Sequence, residues 1–251
     1  MKKTIASIAI TLVCVTAVMA IGGISQAFAE SRRIPIYSVQ RDDNYVAISF
    51  DAAWGADKTR SIMDVCEAYN VKATFFLVGF WVDKYPEIVA EIASRGFEIG
   101  THSNTHPQMS KLSQQQCLSE LTSSCRKIVD ITGQPIKVFR PPFGDYDNQL
   151  IDVASSLGLY TIQWSVDSLD WKGLSALQIA ERVQKAQSGD IILCHNNSDH
   201  IVEALPIIFE ALQLKNLKFC TISELIYFDN YYVDGSGRQI QKSSTSNLNN
   251  A

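Results

Sequence analysis

The sequence has no surplus of positive charge. Its 22 lysines and arginines stand against 26 aspartates and glutamates, a formal net charge of −4, so it offers no basic footprint for nucleic acid. None of its six cysteines falls in a Cys-x-x-Cys pair or a zinc-finger spacing, which removes the readings that need them. No Gly-x-Gly-x-x-Gly or Gly-x-x-x-x-Gly-Lys loop follows a strand-like run, and the nucleotide-binding readings lose their motif. There is no internal repeat and no linker between folded segments. Histidine is scarce at four residues. Two of them, His102 and His106, are spaced i and i+4, which on a helix would put both imidazoles on one face.

What is present suits a globular chain: 46% hydrophobic and 19% charged residues, enough apolar surface for a substantial core. The two ends differ from the middle. Lys2 and Lys3 precede an apolar run from Ile5 to about Ile24, and Ala27-Phe28-Ala29 offers a small-x-small cleavage site. Residues 1–29 are expected to be a secretory signal peptide. Because the run approaches the roughly 20 residues that span a bilayer, an uncleaved membrane anchor is the alternative. The expected location is therefore secreted, or anchored on the outer side of the cytoplasmic membrane. Residues 235–251 are mostly Ser, Asn, Gln and Gly and are expected to be a disordered polar tail. The cysteines after the leader have apolar or helical neighbours and read as free thiols.

Between the ends, strand and helix patterns alternate. Strands are expected over 46–50, 71–78, 97–101, 136–140, 159–166, 191–195 and 218–222. Helices are expected over 58–69, 83–95, 113–132, 148–157, 175–187 and 201–214. The strands are apolar with little alternation, as in a parallel sheet covered on both sides. The fold expected is a single α/β domain over residues 34–233, a distorted parallel β/α barrel.

In such barrels chemistry collects at the C-terminal ends of the strands. The residues there are Asp51, then His102 and His106, then Arg140-Pro141-Pro142-Phe143-Gly144, then Asp167-Ser168-Leu169-Asp170-Trp171, then Leu193-Cys194-His195. Singly each has an ordinary reading as a cap, a surface ion pair or a turn residue. Together on one rim they suggest a site. His102 and His106 can bind a divalent metal through neutral imidazoles. Asp51 can act as general base on water, with Arg140 holding it ionised. His195 can protonate a leaving group, with Asp170 raising its pKa. The backbone N–H of Phe143 can steady an oxyanion. The set describes metal-assisted hydrolysis of an acyl bond.

These segments, in this order, resemble the five motifs of the polysaccharide deacetylases, carbohydrate esterase family four. The peptidoglycan-directed, sporulation-associated branch is the nearest in its first motif, Phe50-Asp51-Ala52-Ala53-Trp54-Gly55. The resemblance implies removal of N-acetyl groups from GlcNAc- or MurNAc-containing polymers with zinc, or with cobalt or nickel. It implies the roles given above, with Trp171 and Leu193 lining a pocket for the acetyl methyl. One departure stands out. The family's first motif usually carries a second acid that ligates the metal, and here that place holds Ala52. The implied ligands are then His102 and His106 alone, and a glycan-binding protein with a degenerate metal site is the competing expectation. Asp57 and Asp199-His200 read as helix caps rather than ligands. Trp54, Phe80, Trp81 and Trp164 are candidates for sugar stacking or core, with core expected for Trp164. The partners expected are a polysaccharide substrate, a membrane through residues 1–29, and no nucleic acid; the chain is expected to be a monomer.

Overall fold

Side chains that are apolar on both faces of a strand require cover on both faces, and the chain supplies it. The computed structural model describes residues 31–242, within which a compact unit begins at Ile34. Its strands are β1 (Ser38–Val39), β2 (Tyr45–Ala52), β3 (Ala73–Leu77), β4 (Glu98–Thr101), β5 (Val138–Phe139), β6 (Tyr160–Thr161), β7 (Val166–Asp167), β8 (Ile191–His195), β9 (Lys218–Cys220), β10 (Tyr231–Val233) and β11 (Arg238–Gln241). The helices are α1 (Thr59–Ala68), α2 (Gly79–Lys84), α3 (Pro86–Ser94), α4 (Gln114–Thr132), α5 (Asn148–Ser156), α6 (Ala176–Val183), α7 (Ile201–Leu214) and α8 (Ile222–Leu225). The main sheet runs β6-β5-β4-β3-β2-β8-β7 with β9 also beside β2. Every pairing in it is parallel, as the sequence leads one to expect. The ladder stays open between β6 and β7, so this barrel is distorted.

Strand periodicity sets which side chains reach the interior. Val46, Ile48 and Phe50 of β2 pack outward with Ile62 and Met63 of α1 and Leu205 and Ile208 of α7. Ala47 packs inward with Phe76, Val138, Ile162 and Ile191. The alternation carries Asp51 to the interior side at the strand's C-terminal end. In β8 it does the same for Leu193 and His195, while Ile192 and Cys194 face the outer layer. At Gly100 a Cβ would lie 2.6 Å from the Phe76 ring, so glycine lets Phe76 fill the barrel directly beneath the site.

Three expectations are corrected. The helix foreseen over 83–95 is two helices, because Pro86 starts α3 at its first position and Tyr85 before it takes φ −131° and ψ 50°. The strand foreseen over 159–166 is split into β6 and β7. Ile36 bridges Ile162 there, donating its N–H to the Thr161 carbonyl at 2.9 Å and accepting from Gln163 at 2.7 Å. The polar tail is ordered at its start: β11 pairs parallel with β1 and antiparallel with β10, and Gln239 is fully buried, its amide bonded to both backbone groups of Tyr227. Residues 243–251 and the leader at 1–29 lie outside the described residues. Among the described residues, no helix is long and apolar enough to cross a membrane. Cys66, Cys117, Cys194 and Cys220 are buried free thiols and Cys125 is a half-buried one.

Candidate active site

The rim residues converge. Asp51, His102, His106, Asp170, Leu193 and His195 border one cleft of about 650 Å³ at the C-terminal end of the barrel. Backbone bonds lash the strand ends together around it: His102 N–H to the Leu77 carbonyl at 2.9 Å, Arg140 N–H to Thr101 at 3.0 Å, Asn196 N–H to Asp51 at 3.1 Å.

Arg140 is wholly buried. Its Nη1 donates to Asp51 Oδ1 at 2.7 Å and its Nη2 to the Gln163 carbonyl at 3.1 Å. The guanidinium lies 4.2 Å from the Phe76 ring centre, a cation–π contact that helps offset its desolvation. Burial alone would push the Asp51 carboxyl up. The charge and hydrogen bond of Arg140 and the neighbouring His102 and His195 outweigh it only together, and the net shift is downward. Asp51 is therefore held ionised.

The two rim histidines sit on a loop rather than a helix, a correction to the spacing argument. Ser103 and His106 adopt φ of +70° and +60°, and the His106 N–H donates to Ser103 Oγ at 2.9 Å. Glu120 of α4 pins the loop, accepting from the N–H groups of Asn104 and Thr105 at 2.8 Å each. His102 Nδ1 lies 2.7 Å from the Arg140 carbonyl. A carbonyl only accepts, so Nδ1 carries the proton and the Nε2 lone pair faces Asp51 Oδ2 at 3.5 Å. Burial lowers the pKa of both rings, that of His106 to about 4, so both are neutral donors at pH 7. The His106 ring stands edge-on to His102, Trp54 and Phe143, centroids 4.9, 5.0 and 4.5 Å away.

Beside Asp51, His195 ends the neighbouring strand β8, and its partner Asp170 is buried. Its Oδ1 meets His195 Nδ1 at 2.7 Å and its Oδ2 accepts the His195 N–H at 2.8 Å. Ser198 Oγ donates to the Asp170 carbonyl at 2.7 Å. Burial would lower the His195 pKa, but the Asp170 hydrogen bond and charge outweigh it and raise the value above 6.5.

The remaining predicted residues divide. Leu193 is buried in the cleft wall, whereas Trp171 stands exposed at its rim. Phe143 has φ +60° inside its turn and an exposed ring. Trp164 packs against the inner core as well as lining the cleft, and Trp81 is core. Asp57 does not cap α1, whose N-cap residue is Lys58; His200 stands at the N-cap position of α7 without a side-chain bond, and Asp199 pairs with Lys58 at 3.2 Å. Ala52 is fully buried and does not border the cleft. Glu120, Gln163 and Asn196, which hold the loops, carried no sequence signal, since nothing distinguishes them from ordinary polar residues until the fold brings them to the site.

A sequence model of the family described as "Polysaccharide deacetylase" matches residues 38–162. The peptidoglycan-N-acetylglucosamine deacetylase of Bacillus cereus is 30% identical over 198 residues, covering 76% of this chain and 92% of that one. The deacetylase PgdA of Listeria monocytogenes is 32% identical over 196 residues, covering 78% and 41%. The chain spans 60% of the length of YlxY of Bacillus subtilis, so it matches only part of some relatives. Among solved structures, a wild-type carbohydrate esterase family four pseudoenzyme of Bacillus anthracis superposes with a TM-score of 0.74 at 32% identity, covering 78% of this chain and 69% of that one. A mutant of the same protein is described as having restored enzymatic activity. Motif order, barrel and relatives agree, and the chain belongs to the polysaccharide deacetylase family.

Proposed function

We propose that this chain removes N-acetyl groups from amino-sugar residues of a cell-wall polysaccharide, peptidoglycan foremost. The observation that carries this is the pair of couples, Asp51–Arg140 and Asp170–His195, brought to one cleft by the neighbouring strands β2 and β8, where Asp51 and His195 stand side by side in register. Asp51 takes a proton from water, whose oxygen attacks the acetamide carbonyl carbon. His195 protonates the departing nitrogen as the C–N bond breaks, giving acetate and a free amine.

The donors suit a divalent ion in kind. His102 and His106 are neutral imidazoles, and the fixed tautomer of His102 leaves Nε2 available. They are few in number: among the described residues no three His, Cys, Asp or Glu side chains group to hold an ion. His102 and His106 would hold zinc, cobalt or nickel, and the ion would polarise the acetamide carbonyl. Acetate release from peptidoglycan or chitooligosaccharides with added zinc, abolished by a chelator, is the expected result. No acetate from peptidoglycan, chitooligosaccharides or xylan with any of the three metals would overturn the reading.

A second reading, a glycan-binding protein without turnover, is favoured by Ala52 and by the pseudoenzyme among the structural relatives. We also infer export through residues 1–29 and action as a monomer outside the cytoplasmic membrane; the leader's charged start and apolar run support the first.

The pH dependence has a defined sign. His195 must be protonated to act as an acid, so the alkaline limb of kcat/KM lies above 6.5. Asp170→Asn is expected to move that limb downward and to cost about 10²-fold in rate. An unmoved limb in the variant would remove His195 from the acid role. The same couple stabilises the fold fully below 6.5, and that contribution is lost as pH rises through the raised folded value.

A further inference from the structure

Among the described residues, the aromatic side chains with more than half of their surface exposed are Trp54 at 63%, Phe143 at 64% and Trp171 at 60%. All three border the same cleft. Large exposed rings gathered at one opening mark a binding surface. Trp54 takes no part in the reaction, and the sequence leaves it open between sugar stacking and core; its exposure excludes core.

Its exposure is enforced by the loop beneath it. The Gly55 carbonyl accepts from Trp81 Nε1 at 2.6 Å and from Asn196 Nδ2 at 2.9 Å. Gly55 itself has φ +63°, and a Cβ there would lie 2.6 Å from the Asn197 side chain. The Trp54 ring is backed by Phe80, centroids 6.3 Å apart, and by the edge of His106. It borders the His102–His106 side of the cleft, and Trp171 borders the Asp170–His195 side.

We propose that Trp54 is a stacking platform for a sugar adjoining the reacting one, so that the cleft reads an oligomer rather than a single N-acetyl sugar. This rests on the amino-sugar reading given above. A pyranose with equatorial substituents presents a flat face of polarised C–H groups, which suits the electron-rich face of an indole. The charged side chains bordering the cleft, apart from histidines, are Asp51, Asp167, Asp170 and Asp199, so contact with the neutral sugar rings falls to the aromatic side chains rather than to charge.

The test titrates the full chain, zinc present, with N-acetylated chitotetraose by calorimetry and with N-acetylglucosamine by ligand-observed NMR. Trp54→Ala is expected to weaken tetramer binding about tenfold, by analogy with aromatic stacking on bases, and to leave monosaccharide binding within about twofold. Trp54→Phe is expected to restore most of the loss. Zinc affinity, titrated separately, is expected to stay at the wild-type value. The proposal is overturned by no tetramer binding to the wild type, by equal losses for tetramer and monosaccharide, or by a parallel loss of zinc affinity, which would mean that Trp54 acts through His106. Trp54-dependent tetramer binding without acetate release would uphold the platform and remove the deacetylase reading.

Discussion

Asp51→Asn is expected to lower kcat/KM for acetate release by about 10²–10⁴-fold, the usual contribution of a positioned general base. Asparagine keeps the shape and an oxygen acceptor for Arg140, but it cannot take the proton of the attacking water. The fold should suffer as well. Arg140 is completely buried with its shortest charged contact to Asp51, so the substitution leaves an uncompensated cation in a low-dielectric interior. Breaking a buried pair costs about 3–5 kcal/mol, and the retained hydrogen bond places this variant near the lower figure. Acetate assays and urea unfolding on the same preparation separate the two effects. A variant that unfolds earlier yet keeps its rate within tenfold would take the base role away from Asp51.

Ala52→Asp is expected to tighten zinc binding by about 100-fold or more. Losing even an outer partner of a metal ligand commonly costs 10- to 100-fold, and an added carboxylate is a direct donor. The structure gives this prediction a second part. Ala52 is fully buried at the end of β2 and packs with the outer core, so without metal the new carboxylate has no water and no cation. Apo stability should fall by about 2 kcal/mol or more, and zinc should recover it. Lower stability with unchanged zinc affinity would mean that the side chain remains in the core layer and that the missing acid is not what limits the site.

The sequence was a good guide wherever one residue type had one physical use. Long apolar strands gave the parallel sheet. The helix foreseen over 113–132 had Ser113 before it and Gly133 after it, and both act as caps, Ser113 in a reciprocal box with Gln116 and Gly133 at φ +67°. The site was legible because its acids, histidines and arginine all sit at strand ends, and strand ends of a barrel meet. What escaped detection depended on contacts distant in sequence. Nothing local to 159–166 says that Ile36 will lie against Ile162 and interrupt a strand. Nothing local to 238–241 says that four mostly polar residues will pair with residues 38–39. The His102–His106 spacing pointed to the correct pair for the wrong local reason: a loop with two left-handed residues, held by Glu120, brings the rings together where a helix was assumed.

The pairing of β1 with β11 has a consequence for how the molecule is made. Ser38 pairs with Arg238 and Val39 with Gln239, so a strand synthesised early waits for one synthesised about 200 residues later. The strand must find its partner across a long loop whose closure is entropically costly. Ile36 and Val39, both in the barrel interior, have partners that come sooner, Ile36 at Thr161 and Gln163 and Val39 at Gly189. The small sheet β1-β11-β10 is thus expected to close late, onto a segment already tied to the main sheet through Ile162 and Gly189.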